Sequence, residues 1–270
     1  MTTASPHPGR ILAGNLQLSY LEQGQGPTVL FLHGLGSAAA DWQLQFPVFA
    51  PRYRVLAPDL RAHGQSEAGA MFWAIQDLAD EVAELLEKLQ AGPAHVVGLS
   101  LGGCVAQVLA VRRTALVRSV TLVNTFGRLR PAGWRGARRM LQRLWLLCFA
   151  PMAANAAFIA AGLFPKPEQA AFRAAALARL SQNPRRTYFA GVRAVLAFDV
   201  RAQLPALRCP TLVVAGDRDT TVALSAKEEL YRLIPGAKLV IVADSGHATP
   251  YDQAEFFNRT VMEFIQACPS

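Results

Sequence analysis

Residues Gly98-Leu99-Ser100-Leu101-Gly102-Gly103 place one serine between glycines two positions away on either side, where a strand-like run gives way to a helix-like run. A sharp strand-to-helix turn of this form lifts the serine hydroxyl clear of the sheet end, and glycine is needed where the two backbones nearly touch. The chemistry expected of such a hydroxyl is nucleophilic attack. Residues 94–98 (AHVVG) read as a short buried strand, and residues 103–113 (GCVAQVLAVRR) as an apolar helix ending in two arginines. The same five-residue pattern also describes an ordinary turn with a helix-capping serine, so the partners of Ser100 must decide.

A serine attacks when a base takes its proton, and the base needs a carboxylate to fix its tautomer and stabilise its cation. Of five histidines, His247 in Asp244-Ser245-Gly246-His247 follows the last strand-like run and precedes the last helix-like run. That places it on a loop at the C-terminal edge of a parallel sheet, the edge that carries Ser100. His95 starts a strand and belongs at the opposite edge, and His7 falls in an N-terminal tail. His33 and His63 sit in glycine-flanked turns, where a hydrogen-bonded structural role is expected. For the carboxylate, Gly216-Asp217-Arg218-Asp219 ends the preceding strand-like run. Spacing does not choose between Asp217 and Asp219, and the chain order Ser, Asp, His holds for both. Asp244 stands too near His247 to wrap around it, and Asp199 belongs to another segment.

The elements that must position these groups are legible as alternating patterns. Residues 28–32, 53–57, 94–98, 117–123, 211–215 and 238–242 are short β-branched runs of the kind found in sheets covered on both faces. Helical patterns lie between them at 71–90, 101–113, 224–233 and 251–267. Such alternation predicts an α/β fold with a mostly parallel central sheet flanked by helices. Residues 11–21, with Gly14-Asn15 in the middle, predict an antiparallel hairpin at its edge. The alternation breaks once: residues 127–204 hold no strand candidate and read as a helical cap inserted into a core formed by 1–126 and 205–270. Its position after residue 123 sets it above the strand C-termini, where ligands bind in open α/β sheets.

With these pieces in place the chain resembles the α/β-hydrolase superfamily, in its esterase, lactonase and haloperoxidase-like branch. The matching segments are His33-Gly34-Leu35-Gly36, Asp59-Leu60-Arg61-Ala62-His63-Gly64-Gln65-Ser66, the turn at Ser100, Gly216-Asp217-Arg218-Asp219, and Ser245-Gly246-His247. The resemblance implies that the acid is Asp219, with Asp217 structural, and that Ser100, Asp219 and His247 form the catalytic triad. It also implies an oxyanion hole made by the backbone N–H groups of Leu35 and Leu101, leaving both leucine side chains free to line an acyl pocket. Ala62 stands where relatives usually have glycine. A serine nucleophile sets the chain apart from relatives that attack through aspartate, the haloalkane dehalogenases and epoxide hydrolases. Acyl transfer is the expectation: carboxylic esters first, with enol-lactones and carbon–carbon cleavage as alternatives that use the same five residues. A receptor-like homologue that binds without turnover is the non-enzymatic alternative. No cofactor or metal is implied.

Composition bounds the remaining questions. With 270 residues, 52% of them apolar, the chain can bury a large core. Residues 1–10 carry Pro6 and Pro8 and no apolar run of signal-peptide length, so cytoplasmic residence is the default expectation. Cys104, Cys148, Cys209 and Cys268 lack metal-type spacing and read as buried thiols. The net charge of +8 is uneven, because residues 128–201 hold thirteen arginines and lysines against Glu168 and Asp199. No basic run is interleaved with base-stacking aromatics, so nucleic acid is not the expected partner; a small-molecule ester or lactone is. Residues 144–165 carry no charge and read as pocket lining, with Trp145, Phe149 and Phe158 as candidate substrate contacts, and not as a membrane span, because Pro151, Asn155 and Gly162 interrupt them. Arg135, Arg138, Arg139 and Arg143 share a helix with Trp134, Met140, Leu141, Leu144 and Trp145. They could hold a substrate carboxylate, rest on an anionic membrane surface, or form a solvated face. The sequence leaves the oligomeric state open.

Overall fold

The computed structural model describes residues 5–131 and 133–268. The first four residues of the N-terminal stretch therefore lie outside the described part. The elements follow in the order β1 (His7–Ala13), β2 (Leu16–Gln23), β3 (Thr28–Leu32), α1 (Phe46–Phe49), β4 (Arg54–Pro58), α2 (Ile75–Lys88), β5 (Ala94–Leu99), α3 (Leu101–Arg112) and β6 (Val117–Val123). Four helices come next: α4 (Gly133–Phe149), α5 (Met152–Leu163), α6 (Ala170–Gln182) and α7 (Arg185–Ala197). The chain then returns through β7 (Thr211–Gly216), α8 (Leu224–Leu233), β8 (Lys238–Val242), α9 (Thr249–Asp252) and α10 (Ala254–Gln266).

The eight strands form one sheet in the order β1-β2-β4-β3-β5-β6-β7-β8. The β1–β2 hairpin turns at Gly14-Asn15 and pairs antiparallel with β4, and every later pairing is parallel. Strand side chains alternate between faces, and two cores follow from that alternation. Leu30, Leu32, Val96, Val120, Leu122 and Val213 point into a core closed by α2, α3 and α8. Val29, Phe31, Val97, Val123, Leu212 and Val214 point into the opposite one, closed by α1 and α10. Burial on both faces is why β3, β5, β6 and β7 read as largely apolar runs rich in valine and leucine instead of alternating ones. This is the α/β-hydrolase fold.

Between β6 and β7 the described residues form no strand. Their two ends are fastened to each other by the Val200 N–H bond to the Gly127 carbonyl at 3.0 Å and the bridge between Arg128 and Asp199. The uncharged run 144–165 breaks at Pro151 between α4 and α5, and among the described residues no helix is long and apolar enough to cross a membrane.

The structure corrects three local expectations. His7 opens β1 instead of lying in a tail. The single helix expected over 251–267 is two, separated at Gln253. Of the cysteines only Cys104 is fully buried, Cys209 and Cys268 are half-buried, and Cys148 is exposed on α4. Ala62 holds the left-handed φ of 63° that glycine would adopt freely, at a cost of about 1 kcal/mol.

Candidate active site

Ser100 stands between β5 and α3 with φ at 53° and ψ at −112°, a conformation few non-glycine residues adopt. The corner is over-determined by its neighbours. The Ser100 N–H donates to the Val123 carbonyl at 3.0 Å, and its own carbonyl accepts from the Thr125 hydroxyl at 2.7 Å and the Cys104 N–H at 3.1 Å. A Cβ at Gly98 would stand 2.4 Å from the Gly102 carbonyl oxygen, and one at Gly102 would stand 2.1 Å from that of Leu32. The two glycines therefore let β5, α3 and β3 approach one another.

His247 and Asp219 reach the same sheet edge on the loops after β8 and β7. His247 Nδ1 lies 2.8 Å from Asp219 Oδ2, so Nδ1–H donates and Nε2 is left as the acceptor. The Asp219 side chain is fully buried, and each of its oxygens is used twice. Oδ1 accepts from the N–H groups of Thr221 at 2.7 Å and Val222 at 3.0 Å, while Oδ2 accepts from His247 and from Lys227 Nζ at 2.9 Å. Burial opposes the Asp219 charge, but His247 and Lys227 outweigh it and hold the carboxyl well below the usual carboxylate range. Lys227 is itself fully buried, which pushes its ammonium below the ordinary lysine value against the pull of Asp219.

The remaining acids are employed elsewhere. Asp217 accepts from the Ser245 N–H at 3.2 Å and so shapes the histidine loop. Asp244 pairs with Lys166, and Asp199 with Arg201 at 2.8 Å and Arg128 at 3.5 Å. His33 accepts the Leu60 N–H on Nε2 at 3.0 Å and donates from Nδ1 to the Gly34 carbonyl at 2.8 Å, fixing the loop that carries Leu35. His63 packs beside it with ring centroids 5.1 Å apart and bonds the Arg61 carbonyl. Burial drives the His63 imidazole down to about 3.

Ser100, His247, Asp219 and Leu35 border one cavity of about 770 Å³ between the sheet edge and α4–α6. Leu101 opens α3, and the first N–H groups of a helix have no acceptor within it. Its side chain, however, is buried in the core beneath α3 instead of lining the cavity, so of the two leucines only Leu35 offers its side chain to a ligand. Phe158, Ile159, Leu163, Phe164, Phe172 and Leu180 supply an apolar wall. Arg139 and Arg143 form a cationic one. Among the described residues no carboxylate lies within ion-pair distance of either. Arg143 donates to the Tyr188 hydroxyl at 2.5 Å, while its buried Nε has no acceptor.

Trp145 and Phe149 do not belong to the cavity. They are 58% and 75% exposed, on the side of α4 turned away from it. The expectation that apolar residues of this helix face inward holds for Leu144 and Leu147 and fails for these two, which lie on the side opposite Arg139 and Arg143.

Two groups escaped the sequence reading. Asn124 follows β6 in a left-handed conformation, φ 44°. Its amide nitrogen donates to the carbonyls of Gly246 at 3.1 Å and His247 at 2.9 Å and approaches the Thr249 hydroxyl at 2.8 Å, while its oxygen accepts the Gly216 N–H at 2.8 Å. One side chain thus joins the ends of β6 and β7 to the histidine loop. An asparagine directly after a strand run, tolerant of positive φ, was the available signal. Lys227 gave none, because on an amphipathic helix it reads as solvated. Among the described residues no group of three His, Cys, Asp or Glu side chains is placed to hold a metal ion.

Comparison with known proteins places this geometry in company. A family model described as the alpha/beta hydrolase fold matches residues 27–254. The chain is 31% identical over 249 residues to a protein of Stutzerimonas stutzeri provisionally named as the carbamate hydrolase RutD, covering 88% of this chain and 91% of that one. It is 28% identical over 254 residues to 3-oxoadipate enol-lactonase 2 of Acinetobacter baylyi, covering 93% and 94%. Among solved structures, the enol-lactonase of Burkholderia xenovorans matches with a TM-score of 0.88 at 26% identity, over 96% of this chain and 100% of that one.

Proposed function

The chain belongs to the alpha/beta hydrolase family, and on that premise we propose that it is a serine hydrolase of carboxylic esters with an apolar, medium-length acyl group. The observation that carries the reading is the convergence of the strained Ser100 corner and the Asp219–His247 pair on one cavity. In this reading Ser100 Oγ attacks the ester carbonyl while His247 Nε2 takes its proton. Asp219 holds Nδ1–H and stabilises the imidazolium, and the Leu35 and Leu101 N–H groups bind the oxyanion. The proton then passes to the departing alcohol, and water repeats the sequence on the acyl-enzyme. Residues 127–204 act as a cap over the core of 1–126 and 205–270, and the wall from Phe158 to Leu180 takes the acyl chain.

Hydrolysis of p-nitrophenyl esters from acetyl to dodecanoyl, beside Ser100→Ala, tests this. The expected result is a medium-chain optimum and a loss of about 10⁴ to 10⁶ in kcat for the variant. A profile flat or falling from acetyl would refute the acyl preference. A folded protein whose Ser100 ignores a fluorophosphonate probe would favour a binding role.

Arg139 and Arg143 favour a second reading, an enol-lactone or ester that keeps a free carboxylate. Two guanidiniums turned into the cavity without an acidic partner, one with an orphaned Nε, suit a planar anion. Arg143→Gln should then raise KM for a carboxylate-bearing ester at least about tenfold and leave its neutral analogue unchanged.

A further inference from the structure

Helix α4 buries Leu147 and packs Leu144 inward but leaves its largest apolar side chains outside. Successive helical residues turn by about 100°, so Trp134, Arg138, Leu141, Trp145, Cys148 and Phe149 share one side, opposite Arg139 and Arg143. That side is the outer one: Trp134 is 69% exposed and Leu141 65%, beside the equally open Trp145 and Phe149. A surface helix ordinarily turns its polar side to water. Here four large apolar side chains form a continuous stripe along about four turns, with the Trp145 and Phe149 rings 6.1 Å apart.

The stripe is flanked by positive charge alone. Arg135 stands over the Trp134 ring at 5.5 Å, Arg138 lies in the shallow cleft among Trp134, Leu141, Trp145 and Phe149, and Arg185 bonds the Cys148 and Ala150 carbonyls where α4 ends. No acidic residue occurs in 133–149, and of the two acids in 128–201, Asp199 is already held by Arg128 and Arg201. A second copy of the chain would bring the same arginines against these, so self-association is opposed by charge. Exposed tryptophan, phenylalanine and leucine bordered by unneutralised arginine are the combination that suits a helix lying in the plane of an anionic interface.

We propose that the outer face of α4 docks onto an anionic lipid bilayer surface. Trp134, Leu141, Trp145 and Phe149 enter the headgroup region, and Arg135, Arg138 and Arg185 meet the lipid phosphates. Trp134, Arg135 and Arg138 also border the cavity that holds Ser100, so the docked face forms its rim. On the ester-hydrolase reading, a sparingly soluble ester could pass from the lipid to the serine without crossing water. The docking itself does not depend on that reading.

The test is co-sedimentation of the full chain with vesicles of phosphatidylcholine alone and of an equimolar mixture with phosphatidylglycerol. Partitioning at least about tenfold stronger onto the mixed vesicles is expected, falling about tenfold when salt rises from about 0.05 to about 0.5 M. The double variant Trp145→Ser/Phe149→Ser should lose binding and keep its rate on a water-soluble ester, which also certifies its fold. If Ser100 proves inert, circular dichroism certifies the fold instead. Equal partitioning onto both vesicles, or unchanged binding by the double variant, would overturn the proposal. So would a dimer in sedimentation velocity that the same substitutions dissociate, since the stripe would then belong to a second copy.

Discussion

Replacing Asp219 by asparagine separates the roles of the two neighbouring aspartates. Four donors converge on this carboxylate, two on each oxygen, and an amide offers one acceptor oxygen and one NH₂ group. If the oxygen stays with the Thr221 and Val222 N–H groups, the NH₂ confronts the His247 ring and the Lys227 ammonium. The imidazole can answer only by moving its proton to Nε2, and the nitrogen that takes the serine proton in the proposed mechanism is then occupied. A wrong tautomer of this kind costs about 10⁴ in kcat. Stability falls as well, because Lys227 stays buried without its counter-charge and keeps only the Gly216 carbonyl at 3.2 Å. Breaking one half of a buried ion pair costs about 3–5 kcal/mol. Asp217→Asn, by contrast, affects a part-exposed group with one backbone N–H at 3.2 Å and Arg218 at 3.9 Å, a change of about 1 kcal/mol. Turnover of a p-nitrophenyl ester and urea unfolding should therefore both rank the variants in that order. Adding Lys227→Met to Asp219→Asn should recover about 2 kcal/mol of stability and no turnover. Equal damage from Asp217→Asn, or restored turnover in the double variant, would refute the reasoning.

Ser100→Gly should unfold at higher urea than the parent by about 1 kcal/mol while losing turnover, because glycine relieves the positive φ; a destabilised glycine variant would show that the corner is not strained. Gly102→Ala drives a Cβ into the Leu32 carbonyl and should cost about 3 kcal/mol in the same assay. The burial of His63 makes the fold acid-sensitive in a defined window. Above pH 6.5 its imidazole is neutral in both states. As pH falls from 6.5 toward 3, the unfolded chain takes up a proton that the folded one refuses, so stability drops by up to about 5 kcal/mol. His95, pushed down to about 4 by burial, adds to the same trend. A urea midpoint that stays level between pH 7 and 4 would contradict both assignments.

The central strands and the glycine-framed serine were legible because each is dictated locally. A strand covered on both faces is apolar along nearly its whole length, and a corner where three backbones meet must carry glycine at 98 and 102. From the residues alone the partner of His247 was one of two aspartates, since two on one turn differ in direction and not in spacing, and only the family resemblance chose Asp219. Lys227 was hidden because its burial is set by an anion eight positions earlier, which no local pattern records. The orientation of α4 was misread for a related reason. Periodicity finds two faces but not which of them turns inward, and here a cavity takes Arg139 and Arg143 beside Leu144 and Leu147 while Trp134 and Trp145 stay outside. The break at Gln253 fell inside a pattern that suits one helix or two equally well.

The fastening of Val200 to Gly127 and of Arg128 to Asp199 bears on how such a molecule could be remade. Because the chain leaves the sheet and returns to it at one point, residues 129–198 form a closed excursion. All eight strands lie outside it, and so do Ser100, Asp219 and His247. Another excursion whose ends meet at the same spacing could be grafted there by recombination, and the entropy of closing a longer one grows only slowly, about 0.6 kcal/mol per doubling. The groups of the proposed triad could then be inherited intact while one wall of the cavity, and the surface turned toward the surroundings, are replaced in a single event.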